Sequence, residues 1–150
     1  MNLVRKYFSS QDLEALAGAV RTAEEGTAGE VRVEVRQRRA KNERTLSIEQ
    51  IARHEFTALG MTRTRERTGV LLFLLLEDKE FCILADEGIH AKVEEVTWTT
   101  IADTLTQHFA QGRFREGLTA AIDAVGAVLR KYVPRRPDDR NELSNNVVVR

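Results

Sequence analysis

Asp86, Glu87 and His90 fall within five consecutive residues, and Glu94 and Glu95 follow one turn later. Oxygen-rich loops of this kind suit calcium and magnesium, which take several carboxylate or carbonyl ligands. Gly88, between them, lets the backbone curl so that carbonyls and the Asp86 carboxylate face one centre. The spacing makes Asp86, Glu87 and His90 candidate metal ligands, with a divalent cation, calcium or magnesium, as the candidate cofactor. The competing expectation is a solvated acidic loop, with Asp86 capping a turn and Glu94-Glu95 leading into a helix. Upstream, Arg63, Arg65 and Arg67 recur at alternate positions. An extended chain would set all three on one side, as a phosphate clamp if that segment folds near Asp86. A solvated charged loop is the simpler expectation for these arginines.

Other chemistries find little support. Gly26 and Gly29 precede a strand instead of opening a helix after one, so they make no phosphate loop. There is no Gly-x-Ser-x-Gly elbow. The single cysteine, Cys82, lies in an apolar run, where a thiol acts as a small hydrophobe, and no disulfide can form within the chain. His54 and His108 fall inside helical patterns, and no Cys-x-x-Cys or His-x-His pair suggests structural zinc. No nucleophile, base and orienting group can be named together, so the catalytic residues are unknown.

These groups hang on a sheet. Val70 to Leu76 is an unbroken run of seven apolar residues, the mark of a strand buried on both faces. Glu77-Asp78-Lys79 turns the chain and Phe81 to Ala85 returns, which predicts a hairpin at the centre of a sheet. Its last residue runs straight into Asp86-Glu87-Gly88. Glu30 to Arg36 alternates, with Val31, Val33 and Val35 on one face and Glu30, Arg32, Glu34 and Arg36 on the other. That pattern predicts a half-exposed strand with paired charges in solvent. Four helices are expected: one after the Ser9 cap, ended by Gly26; one from Ser47 to Gly60; one from about Thr97 to Gly112; one from Phe114 to about Tyr132. Trp98 sits on the apolar stripe of the third and reads as a core anchor. The order favours an α/β layer structure, with helices covering the faces of the sheet.

The chain has 150 residues, with 23 Lys and Arg against 23 Asp and Glu, so no overall field draws it to nucleic acid or anionic lipid. The segment from Arg32 to Arg44 is locally basic, six cations against two Glu, and reads as solvated loop. Met1 to Tyr7 has no signal-peptide core, and no segment approaches membrane-helix length, which leads to the expectation of a cytoplasmic protein without direct membrane insertion.

Several separate segments resemble the TPM domain family, formerly a domain of unknown function, which includes a thylakoid lumenal protein of photosystem II repair and many bacterial proteins. The resemblance rests on Thr27-Ala28-Gly29-Glu30-Val31-Arg32-Val33, on Leu59-Gly60-Met61 through Thr64, Arg67 and Gly69-Val70-Leu71-Leu72, and on Ala85-Asp86-Glu87-Gly88-Ile89 with Trp98. Phe109-Ala110-Gln111-Gly112, Gly117 to Ile122 and the tail Asn141-Glu142-Leu143 also match. It implies an α/β fold with a central sheet of about four strands and helices packed on its faces. The match is nearest a short bacterial branch without signal peptide or membrane helix, often encoded beside LemA-type membrane proteins. Other members have been credited with divalent-metal binding and phosphomonoester hydrolysis. Their metal-binding loop is of Gly-x-Gly-Leu-Glu type; here its second glycine falls on Gly88, the first is missing, and the Glu position holds His90.

Two functions follow as expectations. The first is a TPM-domain interaction module, residues 1–133, acting with a protein partner, a membrane protein foremost, in envelope or membrane-protein maintenance. The second is a divalent-metal-dependent phosphomonoesterase. No nucleic-acid partner is expected. Residues 134–150 form an extended C-terminal tail after Pro134 and Pro137, with Asp138-Asp139-Arg140 holding it in solvent. Leu143 and Val147-Val148-Val149 are expected to pack on the sheet or its helices, or on a second copy in a tail-exchanged homodimer.

Overall fold

The computed structural model describes residues 2–135, Pro137 and residues 143–150. Two helices precede the sheet: the short α1, Leu3–Tyr7, and α2, Ser10–Glu24. The Ser9 hydroxyl accepts from the Asp12 amide and the Asp12 carboxylate accepts from the Ser9 amide, the reciprocal cap the sequence announces. The next elements are β1, Glu30–Arg36; α3, Ile48–Ala58; β2, Gly69–Leu75; and β3, Glu80–Ala85. Then come α4, Glu87–His90; α5, Glu95–Ala110; α6, Phe114–Tyr132; and β4, Val148–Val149.

The four strands form one mixed sheet in the order β3-β2-β1-β4. β1 runs parallel to β2 and to β4, while β2 and β3 form the antiparallel hairpin, Val70 opposite Ala85. Every residue of β2 is buried. One face of the sheet (Val31, Val33, Val35, Val70, Leu72, Leu74) packs under α2, α5 and α6, where Trp98 is a buried anchor. The other face (Leu71, Phe73, Leu75) packs against Ile51, Ala52 and Phe56 of α3 and against Met61. The result is an α/β fold in three layers. The hairpin is not central as a pair: β3 is an edge strand whose residues Phe81 to Ala85 are half-buried, because of the two hairpin strands only β2 has a strand on each side.

β1 corrects the expectation of a half-exposed strand. Glu30, Glu34 and Arg36 are buried, Glu34 completely. The register places this charged face beside Leu71, Phe73 and Leu75, beneath α3, so solvent cannot reach it. The charges survive by pairing. Arg36 reaches Glu34, Glu43 and Glu55 and lies 5.4 Å from the centre of the Phe73 ring. Arg150 closes the cluster at 3.6 Å from Glu34 and 3.7 Å from Glu55.

The tail packs on its own sheet. β4 pairs with Glu34 and Val35, the Gln37 amide donates to the Arg150 carbonyl, and Leu143 packs on the α3 side. Asp138-Asp139-Arg140 and Asn141-Glu142 lie outside the described residues.

Two carboxyl pairs, each joining a β1 glutamate to one on a covering helix, carry a pH dependence. Burial, then a hydrogen bond with Glu30, pushes Glu24 from 4.5 up to about 9. Burial, then a hydrogen bond with Glu55, pushes Glu34 up to about 7. The fold favours the protonated acids, so their contribution is complete below the ordinary carboxylate range and is lost as pH rises through these values. Glu24→Gln mimics the protonated acid and keeps an acceptor for the Val31 amide, which Glu24 Oε2 now receives. The denaturation midpoint of the wild type should fall between about pH 5 and pH 9, and Glu24→Gln should flatten that fall. An unchanged slope in chemical denaturation would refute it.

Candidate functional site

Asp86 leaves the end of β3 and caps α4, its Oδ1 accepting from the Glu87 amide at 2.8 Å. It is buried, and both of its oxygens also meet Arg67: Nε donates to Oδ2 at 2.7 Å and Nη2 to Oδ1 at 2.9 Å. This bidentate fork is the strong form of a carboxylate pair. Its hydrogen bonds raise the Arg67 pKa further above the ordinary value. Arg67 Nη1 also lies 3.4 Å from Glu87, whose side chain is 74% exposed.

Local backbone geometry serves this pair. Arg67 sits at φ 59°, a left-handed conformation that a side chain bearing Cβ adopts at a cost. The Thr64 hydroxyl receives the Thr68 amide and buttresses the turn. Gly88 then packs directly on the backbone of Glu66 and Arg67, its amide donating to the Arg67 carbonyl at 2.7 Å. A Cβ at Gly88 would collide with the Glu66 carbonyl oxygen and come within 2.5 Å of that of Arg67. Gly88 is required by close approach, not by an inward-curling ligand loop, since its φ is not positive.

The three candidate ligands are therefore near in sequence but differently engaged. Asp86 is committed to Arg67, Glu87 points outward, and His90 is exposed with Nε2 3.8 Å from Glu95. No group of three or more His, Cys, Asp or Glu that could hold a metal occurs among the described residues. The donor set does not fit a divalent ion in this arrangement, because the Arg67 guanidinium occupies the position against both Asp86 oxygens that a cation would take. Of the three arginines, only Arg67 makes the contact with Asp86. Met61–Arg63 is a 3-10 turn and residues 64–67 bend and turn without forming a strand, so the alternation of Arg63, Arg65 and Arg67 sets up no common face. Arg63 and Arg65 are exposed. Cys82 is half-buried, and burial pushes its thiol up to about 11, far from a reactive thiolate.

The comparisons with known proteins agree with this architecture. The TPM domain model matches residues 4–128, and the chain belongs to the TPM domain family. The BA42 protein of the psychrophilic bacterium Bizionia argentinensis is similar over 100% of both chains, with 31% identity and a TM-score of 0.88. The N-terminal domain of a protein from P. gingivalis shares the fold at 20% identity and a TM-score of 0.69, over 87% of this chain and 83% of that one. So does the N-terminal domain of cg2496 from Corynebacterium glutamicum, at 13% identity and 0.62, over 83% and 75%. No curated protein matches. No helix among the described residues is long and apolar enough to cross a membrane.

The close approach at Gly88 yields a direct expectation. Gly88→Ala must move the Arg67 turn or α4, and should lower the melting temperature by about 5 °C or more. Gly18→Ala is the control: its Cβ meets only the end of Arg21 at 3.7 Å, inside α2, and should be neutral or stabilising. Equal melting temperatures for the two variants would show that the Gly88 contact is not a constraint.

Proposed function

We propose that the chain is a TPM-domain interaction module of the cytoplasm that recognises a basic segment of a membrane-protein partner in membrane-protein maintenance. The observation that supports it is the commitment of Asp86: with both oxygens bonded to Arg67, the loop after β3 acts as a fixed platform. What the platform turns outward is acidic. Glu87 and Glu95 are 74% and 79% exposed, Glu94 stands beside Glu95, and Val96, the next residue, is 61% exposed. Cytoplasmic loops of membrane proteins are rich in Lys and Arg, the complement of this rim. A short Lys/Arg-rich peptide of juxtamembrane composition should bind with an affinity that falls as salt rises. Charge reversal at Glu87 and Glu95 together should weaken it about tenfold, mainly through the association rate. Equal binding by wild type and the doubly reversed variant would sink the proposal.

Phosphomonoester hydrolysis is the second reading, and the contact between Arg67 and Asp86 is what favours it. An arginine beside a carboxylate is one part of a phosphate site. Arg67 would have to leave Asp86 to hold a phosphoryl oxygen. Hydrolysis of a generic aryl phosphate, with and without a chelator, decides between the two. The interaction module predicts no turnover above buffer. Metal-dependent turnover that disappears in Asp86→Ala and Glu87→Ala, with the fold intact by circular dichroism, would replace it.

A further inference from the structure

The opposite end of β2 carries a feature that the Asp86 loop does not use. Beyond Leu75 the hairpin turn, α1, α5 and the start of α6 enclose an open cavity of about 530 Å³. Four of the nine aromatic residues in the chain line it: Tyr7, Phe81, Phe109 and Phe114. Their rings form a continuous wall, with centroids 4.5 Å apart for Tyr7 and Phe114, 5.1 Å for Phe109 and Phe114, and 5.9 Å for Phe81 and Phe109. All four are only half-buried. Ordinary packing would seal such rings into the core, whereas an apolar concavity of this size with few polar groups is the form of a small-molecule site.

The rim supplies the sign of the charge. Lys79 is exposed at the mouth and makes no ion pair among the described residues. It sits at φ 55°, one of two residues other than glycine in the left-handed region among the described residues. The other, Arg67, has Asp86 as the return on its strain; Lys79 has no internal contact of that kind. Among the described residues, Lys79 is the one basic residue that lines the cavity. The one acid lining the cavity, Glu80, lies 3.3 Å from Arg39 and is offset by it.

We infer that this cavity binds an anionic single-chain amphiphile, an acyl carboxylate, with the chain against the aromatic wall and the headgroup at Lys79. Calorimetric titration of the full-length chain with decanoate, below its micellar range, tests this. Saturable one-to-one binding is expected, with decyltrimethylammonium at least about tenfold weaker. Lys79→Glu should weaken decanoate by about tenfold. Thr106→Trp should fill the cavity and abolish binding at an unchanged melting temperature; Ala110→Trp, on the exposed end of α5, serves if the first variant does not fold. Failure of decanoate to saturate, equal affinity for the cationic amphiphile, or affinity unchanged in Lys79→Glu and the filling variant would each overturn the inference. So would a peptide ending in Phe carboxylate that binds through these residues while decanoate does not, which would assign the cavity to a protein terminus.

Discussion

The burial of β2 on both faces is the constraint from which the rest of the molecule follows. A strand with seven consecutive buried residues needs a helix layer on each side and a strand on each edge. α2, α5 and α6 supply the first layer, α3 the second, and the β1-α3-β2 crossover brings β1 alongside in parallel. The Asp86 loop is positioned by the same strand. Gly69, its first residue, accepts the Asp86 amide at 2.9 Å, and Arg67, two residues earlier, clamps the Asp86 side chain. The aromatic cavity lies at the other end of that strand, between Leu74 and Leu75 and the helices α1, α5 and α6.

The same constraint explains the charged interior. Once α3 covers the face containing Phe73 and Leu75, the polar face of β1 is covered as well. Burying an isolated ion costs far more than a surface pair returns, so every charge there needs a partner or a proton. Arg36 meets three glutamates, and burial beside Glu55 pushes Glu34 toward its protonated form. Arg150 arrives from the far end of the chain to complete the cluster. The C-terminal strand thus serves electrostatics as much as hydrogen bonding.

Most of the elements were legible in the sequence because their signals are local. The Ser9 and Ser47 caps, the stop at Gly60 and the seven-residue apolar run each depend on residues a few positions apart. The family resemblance, shown by the match over residues 4–128, supplied the fold as a whole. The burial of β1 was not legible, because alternation reads the same whether the charged face meets water or Glu43, Glu55 and Arg150. The partner of Asp86 was hidden for a similar reason. Nothing in the spacing of Arg63, Arg65 and Arg67 says that a turn breaks the alternation and selects Arg67 alone. The aromatic wall is a third case, assembled from α1, β3, α5 and α6, four segments with no shared pattern.

The central claim is that the Arg67–Asp86 junction is a rigid part of the fold and not a mobile catalytic loop. Native-state hydrogen exchange measures this without altering a residue. The Asp86 amide, bonded to Gly69, and the Gly88 amide, bonded to Arg67, should open only with the strand β2, at the same free energy as the amides of Leu72 and Leu74. If Asp86 and Gly88 instead exchange as freely as the Asp78 amide in the exposed hairpin turn while β2 stays protected, the junction is loose and the account is wrong.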